Sequence, residues 1–176
     1  MRTIIISAEM TGTDIERDEL LQLSIIADDE ELLYDSYFTP EALTSWEEGE
    51  AVNHISPEYI QKHDYPHISD EMEEIKRILL GADEIIGWDL ALVKSFLKAK
   101  GAFFRPETES HDIRRAYPPP APLGQMYADG YYWTSLEECA EYYEYKWTTN
   151  QTLRHNSLDR CFAILHCYKG ACENLF

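Results

Sequence analysis

The sequence predicts one α/β domain, a mixed β-sheet with helices packed on it, and three observations support this. Short β-branched or alternating runs fill Thr3 to Phe38, the apolar period turns helical from Asp70, and helical and strand-like segments then alternate to the end. At 176 residues, with 44% hydrophobic and 27% charged side chains, the chain has the size and composition of one domain with an ordinary core. No internal repeat or linker divides it, so residues 1–176 are read as a single domain.

Thr3 to Ser7 is a β-branched run fit for a buried strand, and the Thr11-Gly12-Thr13-Asp14 turn ends it. Glu19 to Ala27 sets Leu20, Leu21, Leu23, Ile25 and Ile26 among polar residues and reads as a second strand. The Asp28-Asp29-Glu30 turn leads to a third, Glu31 to Phe38, completing a meander. Asp70 to Leu80 then places Met72, Ile75, Ile78 and Leu79 at helical spacing, and Glu84 to Gly87 is a short apolar strand. Leu90 to Lys100 carries Val93, Phe96 and Leu97 on one helical stripe, and Ser110 to Ile113 fits a fifth strand. Residues 113–134 hold Pro118-Pro119-Pro120, Pro122, Gly124 and Gly130, which break regular structure, so a long ordered loop is expected. Ser135-Leu-Glu-Glu138 is a capping box opening a helix to about Tyr143. Asn156 to Tyr168 is a closing helix expected to turn Leu158, Phe162 and Leu165 inward.

Composition narrows the classes of function. The apolar runs are too short to span a bilayer, and Glu9 soon follows the first of them, so neither a membrane span nor a signal peptide is expected and the cytoplasm is the expected location. The four cysteines, Cys139, Cys161, Cys167 and Cys172, include no CxxC pair. Three of them lie with His166 inside twelve residues, which invites a zinc reading, but a helix there scatters them over different faces. Buried thiols acting as small apolar side chains are expected instead. Fifteen basic against thirty-three acidic residues give a formal net charge of −18, a balance that opposes tight, non-specific binding of a phosphate backbone. It leaves room for a small cleft in which metal ions neutralise a substrate locally.

Four segments carry a pattern: Ile6-Ser-Ala-Glu-Met-Thr-Gly12, Asn53-His-Ile-Ser-Pro-Glu-Tyr-Ile60, Ile86-Gly-Trp-Asp-Leu-Ala-Leu-Val-Lys-Ser-Phe-Leu97 and His155-Asn-Ser-Leu-Asp-Arg-Cys161. In this order and at these separations the chain resembles the DEDDh 3′–5′ exonucleases, from Thr3 to about Tyr168. The resemblance implies a ribonuclease H-like α/β fold, a mixed sheet flanked by helices, and two-metal phosphodiester hydrolysis. In that chemistry two Mg²⁺ or Mn²⁺ ions held by four carboxylates position the attacking water, and a histidine deprotonates it.

Position by position, the implied site is depleted. Where the family has Asp-x-Glu this chain has Ser7-Ala8-Glu9, where it has Phe-Asp this chain has Leu92-Val93, and the last aspartate is Arg160. Glu9 and His155 are the retained motif positions; Ser7, Val93 and Arg160 are the lost ones. Serine is a poor metal ligand, valine is none, and a guanidinium opposes a dication. Asp14, Asp89, Asp112 and Asp159 sit in or beside the motifs, and Asp89 and Asp112 are the possible substitutes. Asp159 lies about 100° round a helix from position 160 and should point elsewhere.

The expectation is a catalytically inactive homologue with no bound metal, acting as a binding module. A protein partner is favoured, and nucleic acid is a possible ligand of the vestigial cleft. The alternative is an active exonuclease on DNA or RNA, with Mg or Mn held by Glu9, Asp89 and Asp112 beside His155. In the first reading Arg160 reaches Glu9 and fills the metal space as a carboxylate–guanidinium pair, and His155 has no metal-bound water to activate. The stretch Tyr127 to Trp147 is rich in aromatics (Tyr131, Tyr132, Trp133, Tyr142, Tyr143, Tyr145, Trp147) with only Lys146 interleaved, which favours packing or protein binding over base stacking. The basic doublets Arg114-Arg115 and Lys76-Arg77 are too few for a groove that tracks phosphates.

Overall fold

The computed structural model describes residues 2–147 and 156–173; His155 lies outside the described residues. The expected meander forms as β1 (Thr3–Met10), β2 (Leu20–Ala27) and β3 (Leu32–Tyr37), each antiparallel to the next. Two parallel strands, β4 (Glu84–Gly87) and β5 (Glu109–Asp112), continue from β1, giving the order β3-β2-β1-β4-β5. β1 is therefore central, and Ile4, Ile5 and Ile6 are all fully buried because helices cover both faces of the sheet.

The strand period of two divides these side chains between the faces. Ile4, Ile6 and Ala8 pack with α3 (Ile68–Leu80) and α4 (Leu90–Ala99), through Ile75, Leu79, Val93 and Leu97. Ile5 and Ile86 pack with α6 (Leu136–Tyr142) and α7 (Ser157–Glu173), through Leu136, Cys161 and Ile164. Ser7 and Glu9 share the parity of Ile5, so they point toward α7.

Two short helices, α1 (Glu47–Asn53) and α2 (Pro57–His63), occupy a segment that shows no apolar period. Trp46, Ile55 and Ile60 bury against Leu21 and hold them in place. Asn53 donates from Nδ2 to the Met10 carbonyl at 2.9 Å and accepts from the Ile55 N–H at 3.0 Å, tying α1 to the end of β1. The approach is close enough that a methyl on Gly49 would overlap the Thr11 carbonyl. The Asn53-His54-Ile55 motif is structural in this way.

Residues 113–134 are not one long loop. One helical turn, α5 (Ile113–Ala116), opens the segment, and a hairpin closes it, β6 (Gln125–Tyr127) with β7 (Gly130–Tyr132). The proline run separates the two. Gly130, at φ 153°, supplies the backbone that the hairpin's tight turn requires. The hairpin leads into Trp133, which is wholly buried and donates from Nε1 to the Tyr117 carbonyl at 2.8 Å. Tyr142 and Tyr143 pack on the Trp133 ring, so this part of the aromatic stretch builds core.

α7 also differs from expectation. Its buried side chains are small or compact, Ser157, Cys161, Ala163, Ile164, Leu165 and Cys167 among them, whereas Leu158 and Phe162 are only partly covered. Small residues let the helix lie close on β1 and β2, which pushes the larger ones to the margin. Cys139, Cys161 and Cys167 are buried free thiols, and Cys172 is half-buried. His166 bonds the Tyr143 carbonyl at 2.7 Å. No helix among the described residues is long and apolar enough to cross a membrane.

Candidate functional site

Ser7, Glu9, Val93 and Arg160, separated by as many as 153 positions in sequence, line one cleft of about 300 Å³. Each arrives by a local rule. β1 delivers Ser7 and Glu9 on the parity that faces α7. α4 begins just after β4 and carries Val93 on its inner stripe, 3% exposed. α7 is anchored at its first turn: the Ser157 N–H donates to Gln22 Oε1 at 3.1 Å, and the Ser157 and Ser24 hydroxyls bond at 2.5 Å. One helical turn later this seating aims Arg160 across the cleft.

Arg160 Nε lies 3.8 Å from Glu9 Oε1, so the expected carboxylate–guanidinium pair forms. Its shorter contact is to Glu137, whose Oε1 accepts from Nη1 at 3.1 Å. Glu137 carries no mark in the sequence that sets it apart as a site residue. Ser135 caps α6 by accepting the Glu138 N–H at 3.1 Å, while the Glu138 carboxylate turns back to Thr134 and Gly124. That leaves Glu137, one position earlier, on the cleft side. The available signal is a second acidic residue in the first turn of a capped helix, which is common enough to say little.

One cation thus serves two carboxylates. Burial pushes the Glu9 carboxyl up to about 7; Arg160 pulls it down and Glu137 pushes it up. The sum means that Arg160, held closer to Glu137, only partly offsets the loss of water around Glu9.

The possible substitute carboxylates are engaged elsewhere. Asp112, at the end of β5, accepts backbone N–H groups from Asp89 at 3.2 Å, Leu90 at 3.0 Å and Arg114 at 3.2 Å, capping α4 from outside. Burial, and then the nearby Asp89 charge, hold its carboxyl above the ordinary value despite these donors. Asp112 does not line the cleft. Asp89 does, at its rim, but Oδ1 accepts from Arg114 Nη1 at 2.8 Å. Asp159 faces Tyr145, whose hydroxyl donates to it at 3.3 Å, and not the cleft. Among the described residues no three His, Cys, Asp or Glu side chains converge as a metal would need. A serine, a glutamate, a buried valine and a guanidinium do not fit a pair of hard divalent cations.

No family model and no curated protein matches the sequence. Solved structures do resemble the fold. E. coli exonuclease I in complex with a dT13 oligonucleotide superposes with a TM-score of 0.74 at 13% identity, over 99% of this chain and 42% of that one. A product-bound structure of exonuclease I gives 0.74 at 12% identity, over 98% and 43%. An ExoI/SSB-Ct complex gives 0.71 at 13%, over 98% and 41%. The ribonuclease H-like α/β fold of these exonucleases is therefore the fold of this chain, which spans about two fifths of their length.

Proposed function

We propose that this chain uses an exonuclease-like fold for binding, no longer hydrolyses phosphodiesters, and takes a protein as its partner. The observation that carries the reading is the Arg160 guanidinium between Glu9 and Glu137, at 3.8 and 3.1 Å, in the cleft where the resemblance implies metal ions. A permanent cation there repels dications and spends the one retained carboxylate on an internal pair. Charge supports the choice of partner: at a formal −18, and with Glu9, Asp89 and Glu137 around one arginine in the cleft, the domain favours a basic or neutral protein surface over a phosphate chain.

A second reading is favoured by two observations. Asp89 shares the cleft with Glu9, and the structural neighbours include exonuclease I bound to oligonucleotides. In that reading a metal recruits Glu9, Asp89 and His155, displaces the arginines, and the domain cuts DNA or RNA.

Incubation of labelled single-stranded DNA and RNA with Mg²⁺ or Mn²⁺, beside Glu9→Ala and His155→Ala, separates the two. The expected result is no degradation and no difference among the three proteins. Metal-dependent cutting abolished in either variant overturns the proposal.

A further inference from the structure

Next to the cleft, and sharing only Asp89 and Leu92 with it, lies an open cavity of about 750 Å³ between α4, β5 and α5. Four cations line it: Lys94 and Lys98 from α4, and Arg114 and Arg115 from α5. Fifteen basic residues are set against thirty-three acidic ones in the whole chain, and four of the fifteen line this one cavity.

How these cations are held matters more than their number. Arg114 is paired with Asp89 and Arg115 with Asp129, both at 2.8 Å. The two lysines, one helical turn apart, form no ion pair among the described residues, in a protein where carboxylates outnumber cations more than two to one. They are positioned instead by neutral groups. Lys94 Nζ donates to Ser110 Oγ at 2.8 Å, and the Lys94 and Lys98 ammoniums lie 4.7 and 5.8 Å from the Phe104 ring centroid. One ring gathers both charges on the same side of the cavity. Burial, and then the Lys98 charge, hold the Lys94 pKa below its ordinary value, as for a cation short of an anion.

The cavity's two carboxylates are held by other partners. Asp89 is paired with Arg114, and the Asp112 carboxylate is turned to three backbone N–H groups and forms no ion pair with either lysine, so Lys94 and Lys98 are the cations left for an incoming anion. Leu90 and Leu92 add apolar wall, and the volume falls in the range of small-molecule sites, about 300–1,000 Å³.

We propose that this cavity binds the phosphate monoester group of a small organic molecule, with Lys94 and Lys98 as its principal contacts, Arg115 and the Ser110 hydroxyl as further donors, and the leucine wall beside the organic body. Ammonium groups from a helix, a guanidinium from the next helix and a hydroxyl from the sheet edge line the same cavity, a set of cationic and neutral donors that suits the several oxygens of a phosphate dianion. The site lies outside the cleft, and its occupancy is independent of whether the cleft cuts.

The test is calorimetric titration of the whole chain with inorganic phosphate and with phenyl phosphate at pH 8, where the monoester is dianionic, at matched low ionic strength. Saturable binding is expected for both, tighter for phenyl phosphate. Removing one charge-assisted hydrogen bond should weaken it about tenfold in Lys98→Ala or Lys94→Met and about a hundredfold in the double variant. Lys76→Ala, on the outer face of α3, should bind as the parent does. Circular dichroism and melting of each variant separate a binding defect from a folding defect. Lys98 is exposed, so Lys98→Ala keeps the test decisive even if Lys94→Met fails to fold. Absent saturation, binding unaffected by Lys98→Ala, binding of an oligonucleotide but of neither monoester, or equal binding of an acidic peptide would each overturn the proposal.

Discussion

Replacing Glu9 with glutamine should stabilise the protein in alkaline solution and leave it nearly unchanged in mild acid. The folded state holds the Glu9 proton up to a pKa of about 7, against 4.5 for the ordinary group. A carboxyl whose folded pKa is raised contributes stability that is fully present below the unfolded value and is lost as pH rises through the folded one. The cost therefore accumulates between pH 4.5 and about 7. By linkage the group should take about 2.5 kcal/mol from the folding free energy between pH 5 and pH 8. Glutamine keeps the shape and carries no such titration. Urea unfolding of both proteins at pH 5 and pH 8 isolates the effect as a difference of differences, in which titrating groups remote from Glu9 cancel. The variant gives up the ion pair between Glu9 and Arg160, but that pair is long, at 3.8 Å, and Arg160 keeps Glu137. The gain at pH 8 should therefore survive as about 1.5–2.5 kcal/mol. Parallel stability curves for the two proteins would refute the reasoning, since Glu9 would then titrate as a hydrated side chain.

Arg160→Met should cost about 2–4 kcal/mol at pH 8, because it leaves two carboxylates facing each other without a cation, and clearly less at pH 5, where Glu9 is protonated; the same urea series reads both. Millimolar Mg²⁺ or Mn²⁺ should not raise the melting temperature of the parent chain. Ser7→Asp combined with Arg160→Asp, which adds two carboxylates beside Glu9 and removes the arginine from the cleft, should acquire a metal-dependent rise. Under native conditions a thiol-reactive chromophore should modify only Cys172 quickly, with Cys139, Cys161 and Cys167 reacting on unfolding; burial pushes the Cys161 thiol well above its ordinary value.

The long-range part of the cleft was the more legible part. Ser7, Glu9, Val93 and Arg160 could be placed together from a motif pattern alone, because strand parity and helix phase fix which way each side chain points once the fold is known. Contacts between loops and helix ends were not legible. Arg114 reaching Asp89, or Glu137 reaching Arg160, depends on where α5 and α6 dock, and nothing periodic marks those residues. The unexpected helices α1 and α2 have the same origin. Each is seven residues long, too short to stand by its own propensity, and their burial against Leu21 stabilises them. In the structure Ser56 caps α2 by accepting the Tyr59 N–H at 3.1 Å, with Pro57 at the first helical position.

Residue identity and period were therefore enough for the α/β class, the strand-then-helix order and a strongly negative charge. Such features act locally, so they can be read before any contact is known. Packing of the whole domain settled which carboxylate pairs with which arginine, that Asp112 caps a helix, and that four of the few cations meet in one cavity. Those outcomes depend on distances of a few ångströms between segments far apart in the chain, and no local pattern sets such distances.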